Sequence, residues 1–244
     1  MKVKLKSFWK WLRRWTLRAI LAFFVLSFVW VLAYRWINPP ITFLQVREWW
    51  NCPEGQEFTK DWQDLEDISF YMHLGSVSSE DQNFMDHYGI DVGAIKKARE
   101  YNKTHDKVRG ASTITQQVAK NTFLWPGRSW VRKGMEVYFT GLVELLWGKQ
   151  RILEVYLNVI EMGPCTFGSE AAARKYFNKS AADLTKGQAA YIVAAFPSPR
   201  KSNPGKPSTY LSRQQAHVVK QMNMLGKNYF KRHGDETWPM NKGK

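Results

Sequence analysis

Residues 110–124 read Gly110-Ala111-Ser112-Thr113-Ile114-Thr115-Gln116-Gln117-Val118-Ala119-Lys120-Asn121-Thr122-Phe123-Leu124. Thr113 followed three residues later by Gln116 is a capping-box pattern, in which two side chains each satisfy an orphan N–H of a helix's first turn. A helix starting there puts Gln117, Lys120, Asn121 and Leu124 on one face. The stretch is short of charge, and Lys120 stands alone among amides and hydroxyls. Such a lysine can hold a phosphate-like anion. A surface helix with no role would carry the same residues.

Outward from this stretch the chain reads as helix after helix from residue 76 to about 197. Ser129 is the expected N-cap of a long helix through Leu146, with Gly148 near the break. Lys149 to Asn158 has Ile152, Leu153, Tyr156 and Leu157 at helical spacing. Thr185-x-x-Gln188 is a second capping box, and Pro197 and Pro199 stop the helix that follows it. Residues 198–208 form a Pro/Gly/Lys loop. An amphipathic helix is expected from Tyr210 to Phe230, and the tail after His233 reads as frayed. Residues 41–75 are mixed and acidic, a short helix or two with a linker. No run of alternating residues argues for a strand, so the body reads as one mainly α domain.

Three segments carry groups suited to chemistry. In Ser78–Asp91, a helix starting at Ser78 or Ser79 would set Glu80 in its first turn, where the dipole favours an ionised carboxylate. Glu80, Phe84 and His87 would then share a face. The plain alternative is that Glu80 and Asp81 only serve the helix start. The second segment is the one around Lys120. In the third, Arg132 and Glu136 are an i, i+4 pair, usually a solvated pair worth a few tenths of a kcal/mol. Here the rest of the helix is apolar (Val137, Phe139, Leu142, Val143), so Glu136 is a candidate for a carboxylate beside a cleft.

The chain has 244 residues with Lys+Arg 36 and Asp+Glu 21, a formal charge of +15. The 44% hydrophobic content excludes wholesale disorder. Two cysteines, Cys52 and Cys165, exclude a disulfide-dense scaffold or a Cys-rich zinc site. The charge is uneven. Residues 1–18 carry seven bases and no acid, and residues 48–91 carry eleven acids and one base. Residues 92–244 carry 26 bases against 10 acids. A basic body suits nucleic acid, an anionic membrane or phosphate-bearing substrates.

The N-terminus chooses among them. Ala19 to Tyr34 holds no charge, and its flanks extend it toward the ~20 residues that span a bilayer. Trp11, Trp15 and Trp36 suit the interfaces, and Arg18 and Arg35 can snorkel. The exit at Tyr34-Arg35-Trp36-Ile37-Asn38-Pro39-Pro40 has no small-x-small cleavage site, against a removed signal peptide. We therefore expect a basic tail at 1–18, a transmembrane helix at 19–38, a linker at 39–64 and the functional domain at 65–235. Seven bases ahead of the span keep the N-terminus in the cytoplasm. The body then lies outside, which removes nucleic acid as its partner.

Glu80-Asp81-x-x-Phe84-x-x-His87-x-Gly89, Gly110-x-Ser112-Thr113-Ile114-Thr115-Gln116-Gln117-x-x-Lys120-Asn121, Arg132-Lys133-x-x-Glu136 and Arg151-Ile152-Leu153-Glu154-x-Tyr156-Leu157-Asn158 occur in this order. With Phe167-Gly168-x-Glu170-Ala171-Ala172-Ala173-x-x-Tyr176-Phe177 they resemble the motif blocks of the peptidoglycan glycosyltransferases, over roughly residues 65–200. The resemblance implies a lysozyme-like, two-lobed, mainly α fold. It implies polymerisation of lipid II on the inner membrane, with the domain periplasmic. Glu80 matches the catalytic base and Glu136 the second catalytic glutamate. Gln117, Lys120, Asn121, Arg128, Arg132 and Lys133 become candidates to bind the diphosphate-bearing substrate, and Glu136 the candidate ligand for a Mg²⁺ or Mn²⁺ ion. Implied partners are lipid II, the growing glycan on undecaprenyl diphosphate, the membrane, and cell-wall synthesis and division proteins.

Two departures stand out. Many relatives carry a lysine where this chain has Met135, and Gly163-Pro164-Cys165-Thr166 replaces a more Gly-rich turn. Outside the cytoplasm Cys165 could pair with Cys52, but no sequence rule brings the two together, and the expectation leans to two unpaired thiols. A lysozyme-type glycosidase and a non-enzymatic cell-wall scaffold are the rival functions. Ser198-Pro199-Arg200-Lys201 matches a transpeptidase Ser-x-x-Lys only in letters, without a Lys-Thr-Gly partner.

Overall fold

The structure is a computed structural model that describes residues 2–105 and 109–240, with side chains from Phe8 onward. Lys2, Lys4 and Lys6 of the basic tail thus lie outside the described side chains. The chain divides into two units, residues 1–38 and 39–244. The first is a helix, α1 (Lys2–Ala33), whose segment Phe8–Ala33 is long and apolar enough to cross a membrane.

In the second unit, α2 (Phe43–Trp50) begins at a capping box in which Thr42 Oγ1 accepts from the Gln45 N–H. Strand β1 (Thr59–Lys60) follows, then α3 (Phe70–Glu80) and α4 (Val92–Thr104). Helices α5 (Ile114–Phe123), α6 (Trp130–Leu146) and α7 (Lys149–Val159) come next. Strands β2 (Glu161–Gly163) and β3 (Thr166–Phe167) lead to α8 (Ser169–Phe177) and α9 (Lys186–Ala194). The chain closes with α10 (Thr209–Leu225) and α11 (Tyr229–Arg232).

The capping boxes at Thr113 and Thr185 form as expected, and Ser129 caps α6. Their side chains accept the N–H groups that the first helical turn leaves orphaned. Apart from His73, helix α3 is apolar or small along its buried run from Met72 to Ser78. A helix of that kind belongs in a core, and α3 packs against α9 and α10. Helix α5 packs against α6 and α7. The face of α5 left over carries Gln117, Lys120 and Asn121, which are half-buried.

Four expectations are corrected. The helix bearing Glu80 does not start at Ser78. It starts at Ser69, whose Oγ accepts from the Tyr71 N–H, so Glu80 ends the helix instead of opening it. Phe84 and His87 lie in turns after it and share no helical face with Glu80. The expected helix from Tyr210 to Phe230 breaks after Leu225, where Gly226 takes φ +76° and lets the chain turn. The tail after His233 is not frayed up to Met240. Trp238 is buried, stacks on Phe230 with ring centroids 3.7 Å apart, and donates to His73 Nδ1 at 3.3 Å. Residues 241–244 lie outside the described residues.

The fourth correction is the disulfide. Cys52 and Cys165 are bonded, with Cα atoms 5.9 Å apart. The sheet explains why they meet. β1 pairs in parallel with β3, which pairs antiparallel with β2, and the Thr59 N–H donates to the Cys165 carbonyl. Strands of two and three residues are too short to show alternation. Asn158 fastens the same segment, accepting from the Gln63 N–H and donating to the Gln63 carbonyl.

Candidate active site

Glu80 closes α3 with its carboxylate toward α5. Gln117 Nε2 donates to Glu80 Oε2 at 2.8 Å. The buried Tyr156 hydroxyl donates to Gln117 Oε1 at 3.4 Å, so the amide can present only its NH₂ to Glu80. Burial pushes the Glu80 carboxyl above its ordinary value, Gln117 and Lys120 pull against that rise, and Asp81 adds to it. The helix dipole does not help, because a helix C-terminus disfavours a carboxylate. This carboxylate is thus a stronger base than a solvated one.

Asp81 does different work. Its Oδ2 accepts from the Ile114 N–H at 3.0 Å, at the N-terminus of α5, and its Oδ1 meets His87 Nε2 at 2.9 Å. The Gly89 N–H donates to His87 Nδ1, so Nε2 carries the proton given to Asp81. Thr113 Oγ1 donates to the Gly89 carbonyl at 2.6 Å. Gly89 has φ +80°, and a Cβ there would collide with Thr140. Residues 81–89 therefore lock the end of α3 to the start of α5, the two elements that carry Glu80 and Gln117.

Two cavities meet at Glu80. One, of about 340 Å³, runs from Ser79 and Glu80 past Asn83 and Lys97 to Arg109 and Ser112. The other, of about 270 Å³, is lined by Glu80, Gln117, Lys120, Asn121, Glu161 and Phe196. Lys120, Asn121 and Leu44 also line a neighbouring cavity of about 240 Å³, walled by Arg47, Arg128 and Arg132. A carboxylate thus stands between a polar cavity and a cation-walled one. Burial pulls the Lys120 ammonium below its ordinary value, and Arg132 and Lys133 pull the same way. Glu136 and Glu80 oppose the drop. Arg47, Arg128 and Arg132 on the walls of the adjoining cavity bring further positive charge beside this half-buried lysine, a setting that suits an anion.

Glu136 is buried at the edge of this cluster. Lys133 Nζ lies 2.5 Å from its Oε1 and Arg132 Nη1 4.0 Å from its Oε2. A divalent ion here would have one carboxylate, already paired to two cations. Among the described residues no group of three His, Cys, Asp or Glu side chains could hold a metal. The protein's side chains alone would not cage a Mg²⁺ or Mn²⁺; Glu136 would supply one carboxylate to an ion held chiefly by the phosphates of a bound substrate. Without an ion, Glu136 pairs with Lys133 and Arg132.

The structure brings Glu80, Gln117, Lys120 and Asn121 to one wall, with Arg128 and Arg132 along the adjoining cavity. Lys133 is drawn to Glu136. Motif residues Arg151 and Glu154 pair with each other, and Arg151 also lies over the Trp62 ring. Sequence reasoning missed Leu44, Arg47, Glu161 and Phe196. The capping box at Thr42 and Gln45 was a readable sign of α2, which carries the first two.

A buried carboxylate beside a cation-walled cavity, on a mainly helical scaffold, has the chemistry that suits a group-transfer enzyme acting on an anionic substrate. A family model described as "Transglycosylase" matches residues 48–223, and the chain belongs to that family, whose fold is lysozyme-like. A Bdellovibrio bacteriovorus protein named biosynthetic peptidoglycan transglycosylase is 48% identical over 218 residues, 88% of this chain and 87% of its own. Proteins of the same name from Xanthomonas campestris pv. campestris (46%, 87% and 88%) and Stutzerimonas stutzeri (42%, 91% and 95%) are similar over comparable shares.

Proposed function

We propose that this peptidoglycan transglycosylase polymerises lipid II into β-1,4-linked glycan strands, with Glu80 as general base. The observation that carries the reading is the Glu80 carboxylate, raised by burial and standing between the two cavities. In this reading the acceptor lipid II occupies the cavity on the Ser112 side, and the growing glycan on its diphosphate occupies the cavity on the Lys120 side. The acceptor's N-acetylglucosamine 4-hydroxyl attacks the donor's N-acetylmuramic C1. As the C–O bond forms, Glu80 takes the hydroxyl proton. The C1–O bond to phosphate breaks with inversion, and undecaprenyl diphosphate leaves. Its charge is met by Lys120, Arg128 and Arg132. A diphosphate departs without protonation, so no acid is needed for the leaving group. That difference separates this site from a lysozyme-type hydrolase, which uses a second carboxyl group and a water.

The membrane reading has two supports. Helix α1 has the length and composition of a span, and the bases at Lys10, Arg13, Arg14 and Arg18 all precede its uncharged stretch from Ala19, which favours a cytoplasmic N-terminus. The Cys52–Cys165 disulfide suits an oxidising compartment, the side opposite the cytoplasm. The direct test is to incubate the purified full-length protein with labelled lipid II and separate the products on a gel. Glycan strands are expected. Release of fragments from purified sacculi, with no strands from lipid II, would favour the hydrolase.

A further inference from the structure

The cation cavity has a wall that the family match does not include. The match begins at residue 48, yet Leu44 and Arg47 of α2 line the same cavity as Lys120, Arg128 and Arg132. We propose that Arg47 is a further binding residue for the diphosphate, held at the cavity mouth by a chain of ion pairs.

The chain runs Arg47–Glu48–Arg200–Glu161. Arg47 Nε and Nη2 each lie 2.7 Å from Glu48 Oε1. Glu48 is buried, and its other oxygen pairs with Arg200 Nη2 at 2.7 Å. Arg200 turns its Nε to Glu161 Oε1 at 2.9 Å and its Nη2 to Glu161 Oε2 at 3.0 Å. Glu161 lines the cavity beside Glu80. One buried carboxylate, Glu48, and one partly buried, Glu161, thus fix two guanidinium groups. Burial raises the Glu161 carboxyl and Arg200 opposes the rise.

This arrangement orients Arg47. One edge of its guanidinium is occupied by Glu48, and among the described residues Nη1 makes no bond, on a side chain that keeps 45% of its surface exposed. A planar guanidinium with one edge fixed and one free is suited to phosphate oxygens. The four groups are neutral overall, so what Arg47 offers a ligand is the free N–H edge of an oriented guanidinium. Position supports the same role. Arg47 lies on the helix nearest in sequence to the membrane-spanning segment, and the exposed Trp49 and Trp50 flank it. Indole rings of that kind favour the membrane interface, where a lipid diphosphate sits.

The inference rests on the reading of this cavity as a diphosphate site, and one titration separates the two. Calorimetry measures inorganic pyrophosphate binding to the full-length wild type, Arg47→Ala, Arg47→Lys, Lys120→Ala and, as a control at an exposed lysine just past α10 that lines neither cavity, Lys227→Ala. The expected result is binding weakened by roughly tenfold or more in Arg47→Ala, the worth of one charge-assisted bond. Arg47→Lys should recover part of it, and Lys227→Ala should match wild type. Wild-type affinity in Arg47→Ala, with Lys120→Ala weakened, overturns the inference and leaves the cavity reading standing. No binding by the wild type overturns both. Thermal melts of each variant check folding, and loss of Arg47 leaves Glu48 paired to Arg200.

Discussion

Gln117 Nε2 donates to Glu80 Oε2 at 2.8 Å while Tyr156 holds the other end of the same amide. The bond joins the last residue of α3 to the middle of α5, so the proposed base is held from outside its own helix. Its strength is a balance: burial raises the carboxyl, and this bond and Lys120 restrain the rise.

That balance sets a pH profile. The base works only as carboxylate, so turnover falls as pH drops through the folded-state value of Glu80. Because that value is raised, the acidic limb should lie above the ordinary glutamate value of about 4.3. The Lys120 ammonium is lowered, so a basic limb should appear below the ordinary lysine value of about 10.4. Gln117→Leu removes a bond to the charged form and should move the acidic limb upward. Lys120→Arg should move the basic limb upward. Rate against pH for these variants checks both directions.

Lys120→Ala and Arg128→Ala should slow polymerisation strongly with little change in melting. Each removes a cation proposed to meet the diphosphate, worth about 1.5–3 kcal/mol. That corresponds to roughly tenfold to a hundredfold. An unchanged steady-state rate for Lys120→Ala would return it to the status of a surface lysine.

Reduction should loosen the fold. The Cys52–Cys165 bond closes a separation of 113 residues, and loss of such a cross-link costs about 2–5 kcal/mol. Melting with and without reductant should differ by that stability, and the difference should vanish in a Cys52→Ser, Cys165→Ser protein.

The pairing was hidden because nothing local encodes it. It depends on the β1–β3 contact, made by strands without a period to read. Other features were legible for the opposite reason. The caps at Thr113, Ser129 and Thr185 are short-range, and all three helices start where the caps say. The end of α3 was misread because Ser78 and Ser79 look like caps, while Ser69 lies ahead of a stretch read as linker. Of the site, Glu80, Gln117 and Lys120 could be proposed from spacing and resemblance. Arg47 and Glu161 could not, because only tertiary packing brings α2 and β2 to α5.

Trp238 gives a stability test of the misread tail. It is buried, stacked on Phe230 and bonded to His73 inside α3. Removing a buried tryptophan side chain costs about 3–5 kcal/mol. Trp238→Ala should lose that much in a denaturant titration. A frayed tail would show no change.

The proposed base is the claim on which the rest depends. Glu80→Gln keeps the size of the side chain but cannot accept a proton from the acceptor hydroxyl. General-base catalysis supplies about 10²–10⁴-fold. The decisive measurement is the rate of lipid II polymerisation by Glu80→Gln, beside wild type, with melting as the folding control. The account predicts a normally melting protein that is slower by at least about a hundredfold. A normally melting Glu80→Gln enzyme that still polymerises at roughly wild-type rate would contradict it, because no proton acceptor for the sugar hydroxyl would then be required at Glu80.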